Sequence, residues 1–357
     1  MALPFPTAPG DEIYKFQLIK RVGGGNFGEV WLARDRAIQS DLAVKLIDAS
    51  QATIDELLQE AVVGNRAGHP NLVKVHYADV INVSGHGVVA VAMDYHPKGS
   101  VVSQACAGEL IRVDRTVSQI IDVLRGLEHL HEQGTLHNDI KPNNILIGTN
   151  GEGILTDYGI SVVTQGGAAY ADNSYRLHAA PEIIQNLPIS CVTDVYQVGL
   201  TAFRMMNGLG LIRAKRSAVG SQKFAELVCS GKLIRSEDYR PFVPPSLKRV
   251  LNKAVNPDPA LRFQSALEMR RALEKLHFVG GWSLDANGSF FGEDAQQTYR
   301  FEAQNLKGGG ARFTAFRTSR SSGKETKIGK FSMSGLSAKE VEKLASDFMT
   351  SVVEGRK

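Results

Sequence analysis

Hydrophobic and polar positions alternate over residues 14–22 and again over 29–33, with Gly23-Gly24-Gly25-Asn26-Phe27-Gly28 between them. That period of two, broken by glycines, predicts a β-hairpin. A third strand, residues 41–47, reads Leu-Ala-Val-Lys-Leu-Ile after its first residue and embeds Lys45 among apolar neighbours. Residues 51–67 change to helical spacing and stop near Gly68-His69-Pro70. Two further strands, about 72–80 and 86–94, flank the turn Ser84-Gly85-His86-Gly87, so this first part reads as five strands and one helix. Beyond Gly99 the texture is helical. Residues 115–133 place Ile120, Ile121, Leu124, Leu127 and Leu130 on one side. A polar loop, residues 137–146, and short strands near 144–147 and 153–156 come next. Helices are expected at about 192–207, 221–230, 246–255 and 264–276. Past Gly280-Gly281 strand-like runs return near 282–290, 297–304, 311–318 and 326–332. A helix at about 337–353 closes the chain, with Ser337 and Glu340 spaced as a capping box. The pattern predicts an α+β chain in which a β-rich part precedes a helical part, followed by a small β-sheet-plus-helix domain.

Composition narrows the class. At 357 residues the chain can hold two or three domains, and 43% hydrophobic with 22% charged residues is a globular composition. A net charge of +4 supplies no global field for nucleic acid or acidic membranes. Cys106, Cys191 and Cys229 are far apart, which suits a reducing compartment and indicates neither a disulfide framework nor a zinc site. The longest apolar run, residues 88–93, is too short to span a bilayer, so no membrane is expected. The start MALPFPTAPG reads as a loose Pro-rich extension without the features of a signal peptide, and the cytoplasm is the default location.

The candidate chemistry sits in the loops. Gly23-x-Gly25-x-x-Gly28 also fits a dinucleotide fingerprint, but there the third glycine opens a helix, whereas here Glu29-Val30-Trp31-Leu32-Ala33 continues as a strand. It is therefore a glycine-rich hairpin, either one whose N–H groups cover phosphates or a plain flexible turn. Lys45 needs a partner if buried. Glu60 on the following helix is the best candidate and Glu56, one turn earlier, the second, while a snorkelling lysine is the plainer reading. His137-Asn138-Asp139-Ile140-Lys141-Pro142-Asn143-Asn144 read alone is either a polar turn capping a buried hairpin or an active-site loop, in which Asp139 is placed to accept a hydroxyl proton and Lys141 to steady a phosphoryl group. Asn144 and Asp157 are oxygen donors suited to Mg²⁺. Asp157-Tyr158-Gly159 read alone is equally a turn.

Taken together, these motifs resemble a eukaryotic-type serine/threonine protein kinase domain over roughly residues 14–276. The glycine hairpin ending in Val30, the Leu42-Ala43-Val44-Lys45 strand, Glu60, the 137–146 loop, Asp157-Tyr158-Gly159, Ala180-Pro181-Glu182 and Asp194-Val195-Tyr196 follow in family order. The resemblance implies a bilobal protein-kinase-like fold over residues 14–278 (N-lobe 14–94, C-lobe 95–278), between a flexible extension, 1–13, and a small basic domain, 279–357. It implies an enzyme that moves the γ-phosphoryl group of ATP to a protein hydroxyl, with Mg²⁺, or Mn²⁺ in its place, as the metal. Gly23, Gly25 and Gly28 would cover the phosphates, and Val30, Ala43 and Leu146 would sandwich the adenine. Asp94, Tyr95 and His96 would form the hinge behind the gatekeeper Met93. Lys45, paired with Glu60, would hold the phosphates; Asn144 and Asp157 would hold the metal. Asp139 would take the acceptor proton, and Lys141 at its place favours serine or threonine.

The chain departs from the family at several positions. Asn138 stands where most kinases carry an arginine that binds an activation-segment phosphate, which predicts activity independent of such phosphorylation. The activation segment, residues 157–182, nevertheless offers Ser161, Thr164, Tyr170, Ser174 and Tyr175 for phosphorylation by the chain itself. Gly64 replaces a bulky residue, leaving either a mobile helix or a gap filled by a neighbour. The alternative to an active enzyme is a nucleotide-binding pseudokinase-like module acting through its C-terminal domain. There, Lys307, Arg312, Arg317, Arg320, Lys324, Lys327 and Lys330 stand against Glu325, with Phe313 and Phe316 interleaved. This stretch is either a solvated hairpin packed on the last helix or a surface for nucleic acid or another acidic partner.

Overall fold

The structure is a computed structural model that describes residues 3–25, 28–66, 68–105, 110–158, 162–163, 169–171, 177–285, 287–307 and 309–356. Of Gln59, Glu60, Val162 and Val163 it describes the backbone alone. The chain divides into two compact units, Met1–Ser103 with Asp122–Gln197, and Gln104–Ile121 with Val198–Lys357.

The first unit opens with β1 (Glu12–Ile13), β2 (Phe16–Gly25), β3 (Gly28–Asp35) and β4 (Ser40–Asp48). Helix α1 (Ile54–Arg66), β5 (Val75–Val83) and β6 (His86–Met93) follow. The strands form one antiparallel sheet in the order β1-β2-β3-β4-β6-β5. Alternation splits the sheet into two faces. Phe16, Leu18, Trp31, Val44, Leu46 and Val88 bury on one. Ala43, Ile47, Val75, Val89, Val91 and Met93 bury on the other, with Ala61 of α1. Residues 3–13, expected as a loose extension, instead pack on the first of these faces. Leu3 is only 8% exposed and belongs to that core, and Gly10 N–H donates to the Leu18 carbonyl at 2.7 Å. The pattern hid this because prolines interrupt every period, while a single Leu and Phe suffice to dock a short segment.

Helix α2 (Val113–Glu132) leads into β7 (Thr135–Leu136), β8 (Ile145–Ile147), β9 (Gly153–Leu155), β10 (Val162–Val163) and α3 (Pro181–Ile184). β8 and β9 pair as a hairpin. α4 (Cys191–Asn207) runs from the first unit into the second.

In the second unit α5 (Leu211–Cys229) starts ten residues earlier than expected and bends at Gly220, whose φ of 78° lies outside helical space. α6 (Pro245–Ala254) and α7 (Ala266–Glu274) lie where the periodicity puts them. The last eighty residues form β11 (Gly280–Leu284), β12 (Phe290–Asp294), β13 (Gln297–Asn305), β14 (Ala311–Ser319), β15 (Glu325–Lys327), β16 (Met333–Leu336) and α8 (Ala338–Val353). The run expected as one strand at 282–290 is the inner part of a hairpin. Asp285 Oδ1 accepts from the N–H groups of Asn287 and Ser289, and Gly288 takes φ 78° to close the turn. Ser337 and Glu340 do form the capping box of α8. One face of the sheet packs on Phe348 of α8, with Trp282, Tyr299, Phe301, Phe313 and Phe331 around it. Phe242 stacks edge-on to Phe290, and Ser346 donates to the Pro241 carbonyl at 2.9 Å, so this sheet shares the packing of its unit. Among the described residues no helix is long and apolar enough to cross a membrane.

Candidate active site

The polar loop between β7 and β8 is held by its backbone. Asp194 and Gln197, one turn apart on α4, grip it from below. Asp194 accepts from His137 N–H at 2.9 Å, Asn138 N–H at 2.8 Å and His131 Nε2 at 2.8 Å. Gln197 accepts from Ile140 N–H and donates to the Asn138 carbonyl, both at 2.9 Å. Burial pushes the Asp194 carboxyl up, yet the His131 hydrogen bond and charge outweigh it and hold the group below the usual carboxylate range. With both backbone groups taken, Asn138 sits at φ 64°, a conformation asparagine adopts more readily than most residues. Its side chain is buried, and among the described residues Oδ1 has no hydrogen-bond partner.

The next residues are the candidates for the chemistry. Asp139 is buried. Its Oδ2 accepts from Lys141 Nζ at 2.6 Å and from Asn144 Nδ2 at 3.0 Å, while Oδ1 has no partner among the described residues. Burial pushes this carboxyl above the usual range, with Lys141 pulling the other way. His137 is fully buried and depressed by burial. Its Nδ1 accepts from Asp139 N–H at 3.2 Å, so the proton belongs to Nε2, which donates to the Thr156 carbonyl at 3.1 Å. Asn144 donates twice to Asp139, to its carbonyl at 2.9 Å as well as to Oδ2, which fixes the amide and leaves its own carbonyl oxygen free of any other described donor.

Lys45 Nζ lies 2.8 Å from Asp157 Oδ1, an ion pair across 112 residues of chain. Burial pushes the Asp157 carboxyl up, and the Lys45 ammonium more than reverses this, so the group lies below its usual range. The expected partner Glu60 has its side chain outside the described residues. Glu56, the second candidate, is exposed and caps α1 instead, accepting from Thr53 N–H at 2.8 Å. Tyr158 is buried between Gly64 and His137, its hydroxyl 3.3 Å from the Val73 and Leu155 carbonyls. A Cβ on Gly64 would overlap Val75 Cγ2 and come within 3.2 Å of Tyr158 Cδ2, so neighbours already fill the gap that a bulky residue would occupy.

The apolar residues expected around a base also converge. Val30, Ala43, Met93, Tyr95 and Leu146 belong to one cluster. At the expected hinge, Asp94 N–H donates to the Lys74 carbonyl at 3.0 Å and its carboxylate meets His76 at 2.7 Å. Among the described residues the Asp94 carbonyl and His96 N–H take no backbone partner. His96 Nε2 is also buried without one, and burial lowers the ring's affinity for a proton. Gly23 and Gly25 pair with Val30 and Gly28 across the hairpin, whose tip, residues 26–27, lies outside the described residues. Gly28 has φ 123° and no room for a Cβ beside the Leu46 carbonyl. Of the activation-segment hydroxyls, Tyr170 is exposed, while Ser161, Thr164, Ser174 and Tyr175 lie outside the described residues.

Gln197 is the residue holding the candidate loop that motif order missed. Its signal was present, since Asp194 and Gln197 are the polar pair at i, i+3 in an otherwise apolar stretch, Val195-Tyr196 and Val198. The basic C-terminal stretch differs from its aromatic-interleaved appearance. Phe313 is fully buried, the Arg300 guanidinium covers Phe316 at 4.1 Å, and Arg320 and Arg300 pair with Glu293, Glu302 and Glu325.

Comparison with known proteins extends the geometry. A family model for the protein kinase domain matches residues 16–275. Serine/threonine-protein kinase PknD of Chlamydia muridarum is 26% identical over 302 residues, covering 73% of this chain and 31% of its own length. PknD of Chlamydia trachomatis is 27% identical over 298 residues, with the same coverage of 73% and 31%. Serine/threonine-protein kinase PknK of Mycobacterium tuberculosis is 26% identical over 275 residues, covering 76% of this chain and 24% of its own length. The chain thus spans less than a third of the length of these relatives.

Proposed function

The chain belongs to the protein kinase family, and we propose that it transfers the γ-phosphoryl group of ATP to a serine or threonine hydroxyl of a protein. The observation that carries this reading is Asp139. One carboxylate oxygen is locked by Lys141 and Asn144, and the other is buried, unpartnered among the described residues and attached to a group with raised proton affinity. Such an oxygen suits a general base. In the proposed step the acceptor oxygen attacks the γ-phosphorus, the bond to the β–γ bridging oxygen breaks, ADP leaves and the hydroxyl proton goes to Asp139 Oδ1. Lys141 steadies the transferred group. Lys45 holds the α- and β-phosphates, with Glu60 as its orienting partner. The adenine lies among Val30, Ala43 and Leu146 beside Met93, its edge read by Asp94, Tyr95 and His96, under the hairpin of Gly23, Gly25 and Gly28.

Asn144 and Asp157 fit a divalent cation. The Asn144 carbonyl oxygen is free because its amide is spent on Asp139, and Asp157 is held ionised, which makes a hard-oxygen donor pair suited to Mg²⁺ or Mn²⁺. A bound cation supplies charge neutralisation on the phosphates. The serine/threonine assignment is supported by Lys141 beside Asp139 and by the printed names of the relatives. Asn138, buried with its backbone clamped, supports activity that needs no activation-segment phosphate. The three cysteines, far apart in the sequence and without CxxC spacing, are in keeping with a cytoplasmic setting. We take 14–278 as the kinase domain and 279–357 as an appended domain. Pairing of Arg300 and Arg320 with glutamates and burial of Phe313 favour a folded hairpin over a nucleic-acid surface.

The test is incubation with ATP and Mg²⁺ followed by mass-spectrometric site mapping, beside Asp157→Asn and Lys45→Met. Incorporation on Ser or Thr that both substitutions abolish is expected. Equal incorporation in all three proteins ends the kinase reading, and phosphate on tyrosine alone overturns the Ser/Thr assignment. Nucleotide binding without turnover returns the pseudokinase-like alternative. A large loss of rate after exhaustive phosphatase treatment refutes independence from the activation segment.

A further inference from the structure

Residues 3–13 cross the first sheet on the face opposite Lys45. The Phe5 ring lies 6.2 Å from that of His86 at the start of β6, Thr7 reaches the start of β3, and Gly10 bonds to Leu18 of β2. Leu3 and Phe5 pack with Trp31, Val44 and Leu46, the residues that alternate with Val30, Ala43 and Lys45. The polar anchor is Glu29. Its Oε2 accepts from Thr7 Oγ1 at 2.6 Å and from Trp31 Nε1 at 3.1 Å, and its Oε1 meets Arg21 at 3.3 Å. Glu29 is buried, although it lies directly opposite Gly24 in the glycine hairpin, beside the Gly25–Gly28 pair.

This arrangement has a mechanical meaning. Gly23, Gly24 and Gly25 offer no side chains to pack, and glycine loses the most backbone freedom when held extended. The ladder also slips register between Arg21 and Gly23. The hairpin therefore needs restraint from outside itself. Arg21 supplies one tie across it, and Thr7 supplies the other from a segment that is itself moored through Leu3 and Gly10. We infer that residues 3–11 are a strap that positions the glycine hairpin from behind, with Thr7 as its latch on Glu29, and that the strap sets the affinity for nucleotide. Thr7 and Glu29 are positioning residues; neither touches the reacting atoms. The inference rests on the reading of the hairpin as the phosphate cover of a kinase.

Three variants of the full chain test it: Thr7→Val, which keeps the shape and loses the donor, Thr7→Ser, which keeps the donor, and Thr7→Glu, which sets a second carboxylate against Glu29. ADP with Mg²⁺ is the calorimetric probe, KM for ATP and kcat are read from phosphotransfer, and amide exchange is followed over residues 21–31. For Thr7→Val the ADP affinity falls and KM for ATP rises by roughly three- to tenfold, the factor that one net hydrogen bond commands, with kcat held. Thr7→Ser restores both, Thr7→Glu weakens binding further, and exchange quickens in the first and last. A structural role alone would lower kcat through lost active protein and leave KM unchanged. Unchanged affinity in Thr7→Val and Thr7→Glu overturns the inference, even with faster exchange. If the native chain binds no ADP and turns over no ATP, the kinase reading fails, and unchanged exchange then overturns the strap on separate grounds.

Discussion

Substitution of Gly64 by alanine sets two opposing terms against each other at a site where both can be sized. In a helix interior alanine is favoured over glycine by about 1 kcal/mol. Against that, the new Cβ overlaps Val75 Cγ2 and lies 3.1 Å from Val75 Cβ and 3.2 Å from Tyr158 Cδ2. Val75 is 2% exposed and locked in a cluster with Ala61, Val73, Val89 and Val91, so it cannot swing aside. Forcing a methyl into such a core costs about 1–3 kcal/mol. The expected net is a loss of about 1 kcal/mol, rising to about 2 where the helix cannot shift. A helix that does shift moves off Tyr158, whose neighbour Asp157 holds Lys45, so phosphotransfer falls with stability. Urea denaturation of Gly64→Ala, Val75→Ala and the double variant measures the coupling. The extra methyl in the double variant occupies space vacated by Val75, so a coupling of about 1 kcal/mol or more in the stabilising direction is expected. Gly64→Ala that gains the full propensity term with unchanged activity, or a strictly additive cycle, refutes the reasoning.

Three other positions, Asp194, Asp139 and Phe348, give further expected outcomes. Asp194→Ala strands the N–H groups of His137 and Asn138 and costs about 3–5 kcal/mol in urea denaturation. Because the Asp194 proton affinity is depressed in the folded chain, its contribution is present above the unfolded carboxylate pKa and lost as pH falls through the lower folded value. Melting temperature in the native chain should therefore drop in acid more steeply than in Asp194→Asn, and parallel acid profiles contradict this. Asp139→Asn should cut turnover by about 10²–10⁴ with ADP affinity retained, and native turnover should decline as acid protonates the carboxylate; undiminished turnover removes Asp139 as base. Phe348→Ala should destabilise by about 3–5 kcal/mol, seen in near-ultraviolet dichroism of Trp282, 5.7 Å away, and a loss below about 1 kcal/mol would contradict the packing.

Much of the site is readable along the chain. Asp139, Lys141 and Asn144 lie within six positions, and the alternation that buries Ala43 also exposes the register of Lys45. Strand and helix periods placed most elements because period reports which face a segment buries. The exceptions have local causes. A prolonged α5 was hidden by Gly220, and the β11–β12 turn was masked by two phenylalanines that continue the apolar texture.

Short-range spacing was enough to nominate the loop residues, since those depend on neighbours within a few positions, and the order of the motifs along the chain was enough for the fold class and the family. They could not choose partners. That Lys45 meets Asp157, that Gln197 and Asp194 clamp Asn138, that Gly64 is packed shut by Val75, and that Thr7 latches Glu29 all join residues separated by 11 to 112 positions. Several partners are chemically possible for each group along the chain. Close packing leaves room for one, and the cost of a buried polar group without a partner makes that choice binding.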